Sequence, residues 1–206
     1  MALFDFDGTL TRRDTLLPFL KHCVGPAAFL RRMAGQAPGL LAMATGRRSN
    51  EAVKQQVLRA FFDGWPIGKL ADLGARFARE DVPKLLRTSS MQILEWHLEQ
   101  GHTCYLVSAS LDVYVEPWGL GQGFAGVLCS RLAVSEEGRL TGRLFGRNVY
   151  GPEKVARIRE ALGLEPGSVV YAYGDSRGDW EMLELARHAW YRGRFLGSTP
   201  PGWMSK

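Results

Sequence analysis

Two carboxylates stand two residues apart in Leu3-Phe4-Asp5-Phe6-Asp7-Gly8-Thr9-Leu10-Thr11, directly after a short apolar run and directly before a glycine. An apolar run that breaks at a glycine is the mark of a buried strand that has just ended. In an extended chain alternate side chains share a face, so Asp5 and Asp7 are expected to point one way and Phe6 the other. Carboxylates this close repel unless one keeps its proton or a cation joins them. A hard divalent ion, which takes oxygen ligands, is the natural complement. Gly8 adopts backbone angles closed to other residues and lets main-chain N–H groups come close to an anion. Taken alone, the stretch also fits a solvated turn at a strand end.

Three more positions carry the same kind of chemistry. Ser108 follows the apolar run Cys104-Tyr105-Leu106-Val107, Lys154 lies in the first turn of a helix opened by Gly151-Pro152, and Asp175 and Asp179 sit in Gly174-Asp175-Ser176-Arg177-Gly178-Asp179. Singly, these read as a turn serine, a solvated lysine and helix-start aspartates. In a parallel sheet, however, strand ends share one edge, so residues more than 150 positions apart can meet there. Together they describe a phosphate site. Asp5 and Asp175 would hold Mg²⁺, Ser108 and the N–H of Ala109 would bind phosphate oxygens, and Lys154 would neutralise their charge.

The elements that must position these groups are legible in the pattern. From Asp14 to about Arg87 apolar residues recur at helical spacing, as in Leu16, Leu17, Leu20 and Val24 and again in Val53, Val57 and Phe61, with glycines and prolines between. After about Ser89 strand and helix alternate, the pattern of a parallel sheet with crossovers. Expected strands are 104–107, 126–129 and 168–173, with a hairpin over 131–149, helices over 91–100, 153–162 and 180–187, a short edge strand near Trp190 and a loosely held tail beyond Arg194. The glycines at 119, 121 and 123 are not read as a dinucleotide fingerprint, because no strand leads into them. The fold class is therefore α/β, a Rossmann-like parallel sheet core with an inserted all-helical cap and a small β-hairpin. The expected division is a core of 1–12 and 88–206 and a cap of 13–87.

Composition is that of a globular protein: 46% of the 206 residues are apolar and 23% charged. Three widely spaced cysteines suggest neither a thiolate metal site nor a disulfide framework, and a cytoplasmic setting is expected. The four histidines show no metal-ligand spacing. Charge is uneven. Residues 12–90 hold 14 Lys and Arg against 6 Asp and Glu, while the rest of the chain is slightly acidic. Such an excess suits an anionic substrate or peripheral contact with an anionic membrane, and equally a solvated helix surface. The stretch from Phe29 to Ala44 is amphipathic but too short and too charged to span a bilayer. No nucleic-acid partner is expected.

Asp5-Phe6-Asp7-Gly8-Thr9, Val107-Ser108-Ala109-Ser110, Lys154 and Gly174 to Asp179 resemble the four ordered motifs of the haloacid-dehalogenase-like superfamily, in its phosphoserine-phosphatase-like branch. The resemblance runs from Ala2 to about Arg192. It implies Asp5 as nucleophile, Asp7 as acid/base that reaches the metal through its main-chain carbonyl, Ser108 and Lys154 as phosphate ligands, and Asp175 as metal ligand supported by Asp179. It also implies a substrate-recognising acidic residue in the cap at Asp14, paired with a basic residue that is either Lys54 or Arg59. Two departures bear on substrate: Ala109-Ser110 stand where phosphoserine phosphatases carry two glycines, and Gly178 where they carry asparagine. The expected activity is Mg²⁺-dependent hydrolysis of a small phosphorylated metabolite through an aspartyl-phosphate. The alternatives are a lipid headgroup phosphate such as phosphatidylglycerophosphate, transfer or dehalogenation on the same site, and a non-catalytic phospholigand-binding module.

Overall fold

The structure of the protein, a computed structural model, describes residues 1–164, 168–169 and 171–197. Val170 of the expected strand and the expected tail from Ser198 onward lie outside the described residues.

Strand β1 is only Ala2–Phe4, and every residue of it is buried. It lies at the centre of a seven-stranded sheet of order β4-β3-β2-β1-β5-β6-β7. Its parallel neighbours are β2 (Cys104–Leu111) and β5 (Tyr171–Gly174), with Phe4 in register with Leu106 and Tyr173. Next come β3 (Gly126–Val134) beside β2 and β6 (His188–Tyr191) beside β5, both parallel. The edges are antiparallel: β4 (Leu140–Phe145) and β7 (Arg194–Phe195). Alternation along β1 sends Leu3 to a cluster with Val107, Ile158 and Met182, and Phe4 to the larger cluster on the other face. Such double burial explains why the central strands read as continuous apolar runs.

Helices α1 (Leu16–Val24), α2 (Pro26–Ala34), α3 (Ala37–Ala44), α4 (Asn50–Phe62), α5 (Ile67–Glu80) and α6 (Val82–Leu85) fill the chain between β1 and helix α7 (Thr88–Glu99). The expected 29–44 stretch is thus two helices, broken at Gly35-Gln36. This insertion shares its core with the sheet, for Phe19, Phe62 and Phe77 join Phe4, Phe6 and Leu106 in one cluster. It is also stitched to the β3–β4 hairpin. Gly64 N–H donates to Leu140 O (2.8 Å), Leu140 N–H to Trp65 O (2.8 Å) and Ile67 N–H to Gly138 O (3.1 Å).

Several expectations are corrected. Helix α8 (Asp112–Gly121) occupies the segment where no helix was expected, and it holds Pro117 and two of the three clustered glycines. Proline lacks the N–H that would close the turn onto Val113 O. Gly74 of α5 fits against that carbonyl, since a methyl there would lie 2.2 Å from Val113 O. The segment is helical because packing overrides its poor local propensity. Strands β2 and β3 run past their expected ends, β3 leaving β2 to pair with β4. Trp190 lies in β6, which β7 covers, so it is not on the edge. The helix after Asp179, α10, spans only Trp180–Leu183. Tightened bonds from Leu185 N–H to Met182 O and Ala186 N–H to Leu183 O then turn the chain into β6. Helix α9 spans Pro152–Leu162.

Candidate active site

At the carboxyl end of β1 the chain makes one wide turn, Phe6–Leu10, in which Asp7 (φ −72°, ψ 123°) and Gly8 (φ 78°) leave helical angles. Asp5 precedes it, anchored by its N–H to Tyr173 O at 2.9 Å. The two carboxylates therefore do not simply share a strand face; each has its own surroundings.

Asp5 is buried and accepts from Lys154 Nζ (2.6 Å) and Thr9 Oγ1 (3.1 Å). Lys154, from the first turn of α9, is 1% exposed and gives its other two protons to Val107 O (2.7 Å) and Asp179 Oδ1 (2.7 Å). All three of its donors are thus engaged with the protein, and its charge is what it presents to the cleft. One ammonium between two buried carboxylates leaves an excess negative charge. Asp179 carries it easily, because Asp175 N–H (3.1 Å), Ser176 N–H (2.8 Å) and Ser176 O–H (2.8 Å) also donate to it. Burial raises the Asp179 carboxyl, but the Lys154 charge and these donors outweigh it and hold it low. Burial pulls Lys154 down, and the Asp5 and Asp179 charges more than restore it, so it stays protonated. Asp5 is the loser, pushed up to about 7 by burial in spite of Lys154.

Asp175, raised by burial and then by Asp179, leaves its Oδ1 buried with no hydrogen-bond partner. One oxygen from each of Asp5, Asp175 and Asp179 falls within 4.8 Å of the others. An unpartnered buried carboxylate oxygen in an all-oxygen cluster of excess negative charge fits a hard divalent cation. Gly8 contributes differently from the expectation. Its N–H donates to Thr11 Oγ1 (3.2 Å), whereas a methyl on its Cα would lie 2.1 Å from Asp175 Oδ2. Gly8 thus makes room for Asp175. Gly8→Ala, with φ 78° as well, is expected to cost about 1–3 kcal/mol from backbone strain alone and to abolish any rise in melting temperature on adding Mg²⁺; thermal melts with and without the ion check this.

Asp7 points away from that cluster toward the helical insertion. Its Oδ1 accepts from Thr15 N–H (2.8 Å) and Thr15 O–H (2.7 Å), and its Oδ2 from Ser110 O–H. Tyr114 O–H in turn reaches Thr15 Oγ1 at 3.0 Å, so the carboxyl is held from α1, β2 and α8 at once. Burial, then Asp14, pushes Asp7 up to about 6. A carboxyl fixed in position and titrating near neutrality is suited to exchanging protons. Thr15, Ser110 and Tyr114 escaped the sequence reading. Only Ser110 left a signal, two residues from Ser108 and so on the same strand face.

The remaining expected residues divide. Ser108 is buried on β2 and its Oγ accepts from Ser110 N–H at 3.0 Å. Ser108 and Ala109 line, with Asp5, Asp7, Lys154 and Asp175, a cleft of about 370 Å³ whose rim carries Arg12, Arg13 and Arg87. Lys54 reaches the site from α4, donating to Ala109 O and to Asn148 Oδ1 (2.6 Å). Arg59 does not, lying exposed beside Asp63 (3.7 Å) under the hairpin. Asp14 lines the cleft while its Oδ1 caps α1, accepting from Leu16 N–H at 2.9 Å. Of the basic cap residues, Arg32 is tied down: it donates to Phe61 O (2.7 Å) at the end of α4.

A family model described as haloacid dehalogenase-like hydrolase matches residues 2–184. Protein CicA of Caulobacter vibrioides is 34% identical over 192 residues, 93% of this chain and 85% of that protein. A Mycobacterium tuberculosis protein named "probable phosphatase" is 26% identical over 193 residues, 91% of this chain and 67% of that one. A substrate-bound phosphoserine phosphatase shares the fold, with a TM-score of 0.61 at 19% identity, over 92% of this chain and 84% of that one.

Proposed function

Because this chain belongs to the haloacid dehalogenase-like hydrolases, we propose that it is a Mg²⁺-dependent phosphatase that hydrolyses a small phosphomonoester through an aspartyl-phosphate on Asp5. The observation that carries this is the division of labour between two carboxylates. Asp5 sits among Lys154, Asp175 and Asp179, and Asp7 is held separately by Thr15 and Ser110.

In the first half-reaction an Asp5 oxygen attacks phosphorus, the bond to the leaving oxygen breaks, and Asp7 gives that oxygen a proton. In the second, Asp7 takes a proton from water as the water attacks phosphorus, and the bond to Asp5 breaks to release inorganic phosphate. Ser108 O–H and the main-chain N–H of Ala109 orient the phosphoryl oxygens, and the Lys154 charge offsets theirs. Asp5, Asp175 and the main-chain carbonyl of Asp7, with Asp179 behind them, are the groups that would hold the metal. Bound Mg²⁺ supplies positive charge against the equatorial oxygens.

Phosphate release from a panel of esters, with Mg²⁺ and with chelator, tests this reading. Turnover that chelator silences and Mg²⁺ restores, with a phosphorylated peptide containing Asp5 after acid quench, is the expected result. Absence of turnover across the panel would leave a binding module. Free Cys23, Cys104 and Cys129 support a reducing, cytoplasmic setting. Among the described residues no helix is long and apolar enough to cross a membrane.

Lys54 adds a pH dependence. Burial lowers it to about 8 against the pull of Asp7 and Asp14. It is cationic below that value and neutral above it, so attraction for an anionic group on the substrate is lost as pH rises through about 8. KM for such a substrate is expected to climb there, and Lys54→Arg, which stays charged, is expected to flatten the climb.

A further inference from the structure

The cleft that holds Asp5 does not end at the reacting carboxylates. A second cavity of about 260 Å³ opens between α1, α2, α3 and α4. The two share Asp7, Asp14, Asn50, Ala109 and Tyr150 as lining residues, so Asp7 stands at their junction. If Asp7 protonates the leaving oxygen, whatever that oxygen carries lies in the second cavity.

The walls there are apolar: Leu16, Leu17, Met33, Met43, Val53 and Val57. The charged residues that line it are Asp7, Asp14 and Lys54. Asp7 and Asp14 belong to the junction, and Lys54 is held beside it by Ala109 O and Asn148 Oδ1. Two of the three Lys54 protons are met by these neutral acceptors, and one is left for the substrate. Of the other polar linings, Asn50 and Tyr150 are shared with the first cleft and so stand at the junction, and Ser110 and Asn148 are already engaged with Asp7 and with Lys54 and Ser130. A leaving group polar along its whole length would lose hydration against the far walls without replacement. An apolar one would gain from burial, and two methionines let the walls adapt to its shape.

On the phosphomonoesterase reading, we propose that the substrate is the monophosphate ester of an amphiphilic alcohol, whose apolar body fills this cavity and whose polar neck carries an acceptor for Lys54. Serine-like leaving groups are poor occupants. The same chemistry belongs to a soluble alkyl or acyl metabolite and to a lipid headgroup phosphate.

The test is the series of n-alkyl phosphates from methyl to octyl, below micelle formation, with Mg²⁺ present. kcat/KM is expected to rise about three- to fourfold per methylene until the cavity is full. Met33→Gln with Met43→Gln should flatten the rise to under about twofold per methylene. Met33→Leu with Met43→Leu, which keeps the walls apolar, should preserve the rise. Methyl and hexyl phosphates hydrolysed at equal kcat/KM would overturn the proposal and leave the phosphatase intact. Hydrolysis of no ester at all would instead overturn the reading beneath it. A parallel arm offers phosphatidic acid in phosphatidylcholine vesicles. Turnover there beside the rising series assigns the substrate to a lipid, and a rising series without it assigns it to a soluble amphiphile; both uphold the class.

Discussion

Asp5→Asn is expected to lower turnover of every phosphomonoester by roughly 10⁴-fold or more, because an amide cannot form the covalent intermediate. Volume barely changes, and the remaining Oδ1 still accepts from Lys154, so the fold should hold. Stability supplies a second readout. The folded-state carboxyl of Asp5 lies at about 7, above its unfolded value, so its contribution to stability is present at low pH and is lost as pH rises through about 7. At pH 8 in metal-free buffer the Asn variant, which stays neutral where Asp5 becomes a buried charge, should melt at or above the wild-type temperature. Mg²⁺ should then raise the melting temperature of the wild type far more than that of the variant. A variant that hydrolyses an activated aryl phosphate at near wild-type rate would sink the covalent mechanism.

Lys154→Met is expected to be the most damaging change to the fold. Lys154 is 1% exposed and bridges Asp5 and Asp179 at 2.6 and 2.7 Å. Removing it leaves two buried carboxylates facing one another with no cation. Breaking a buried ion pair from one side costs about 3–5 kcal/mol, a large share of a domain's stability. Urea unfolding should show that loss, together with loss of turnover. A double substitution, Lys154→Met with Asp179→Asn, should recover part of the stability and none of the activity. If the single variant were as stable as wild type, the ammonium would not be what holds the carboxylates together.

The motifs were readable because each is a local event, an apolar run that stops at a glycine or a helix that opens on proline. Parallel-sheet logic then suffices to bring Asp5, Ser108, Lys154 and Asp175 to one edge. What the sequence withheld depends on partners far away in the chain. Asp7 takes its orientation from Thr15 and from Ser110, 103 residues on, and no local pattern encodes that contact. Lys54 and Arg59 are five positions apart on α4, hence about 140° apart around the helix, so only one can face the cleft. Which one does is set by the hairpin, whose Gly142 packs on the Arg59 backbone. Helix α8 was hidden for a related reason: Pro117 and its glycines are poor local helix formers, and contact with α5 decides the matter.

The union of the helical insertion with the sheet bears on how substrate choice can be re-engineered. A graft that exchanged the whole insertion for a relative's would cut through the cluster joining Phe19, Phe62 and Phe77 to Phe4 and Leu106, and through the backbone bonds that Leu140 makes, accepting from Gly64 and donating to Trp65. Such a chimera inherits two half-cores that were never fitted to each other. The helix Pro26–Ala34 contributes no fully buried residue, yet with α3 it brings Met33 and Met43 to the leaving-group cavity. With Phe29 and Arg32 kept for their contacts with Phe61, the rest of residues 26–44 is thus a replaceable cassette on a fixed frame, the place where new specificity can be written at least cost to the rest of the molecule.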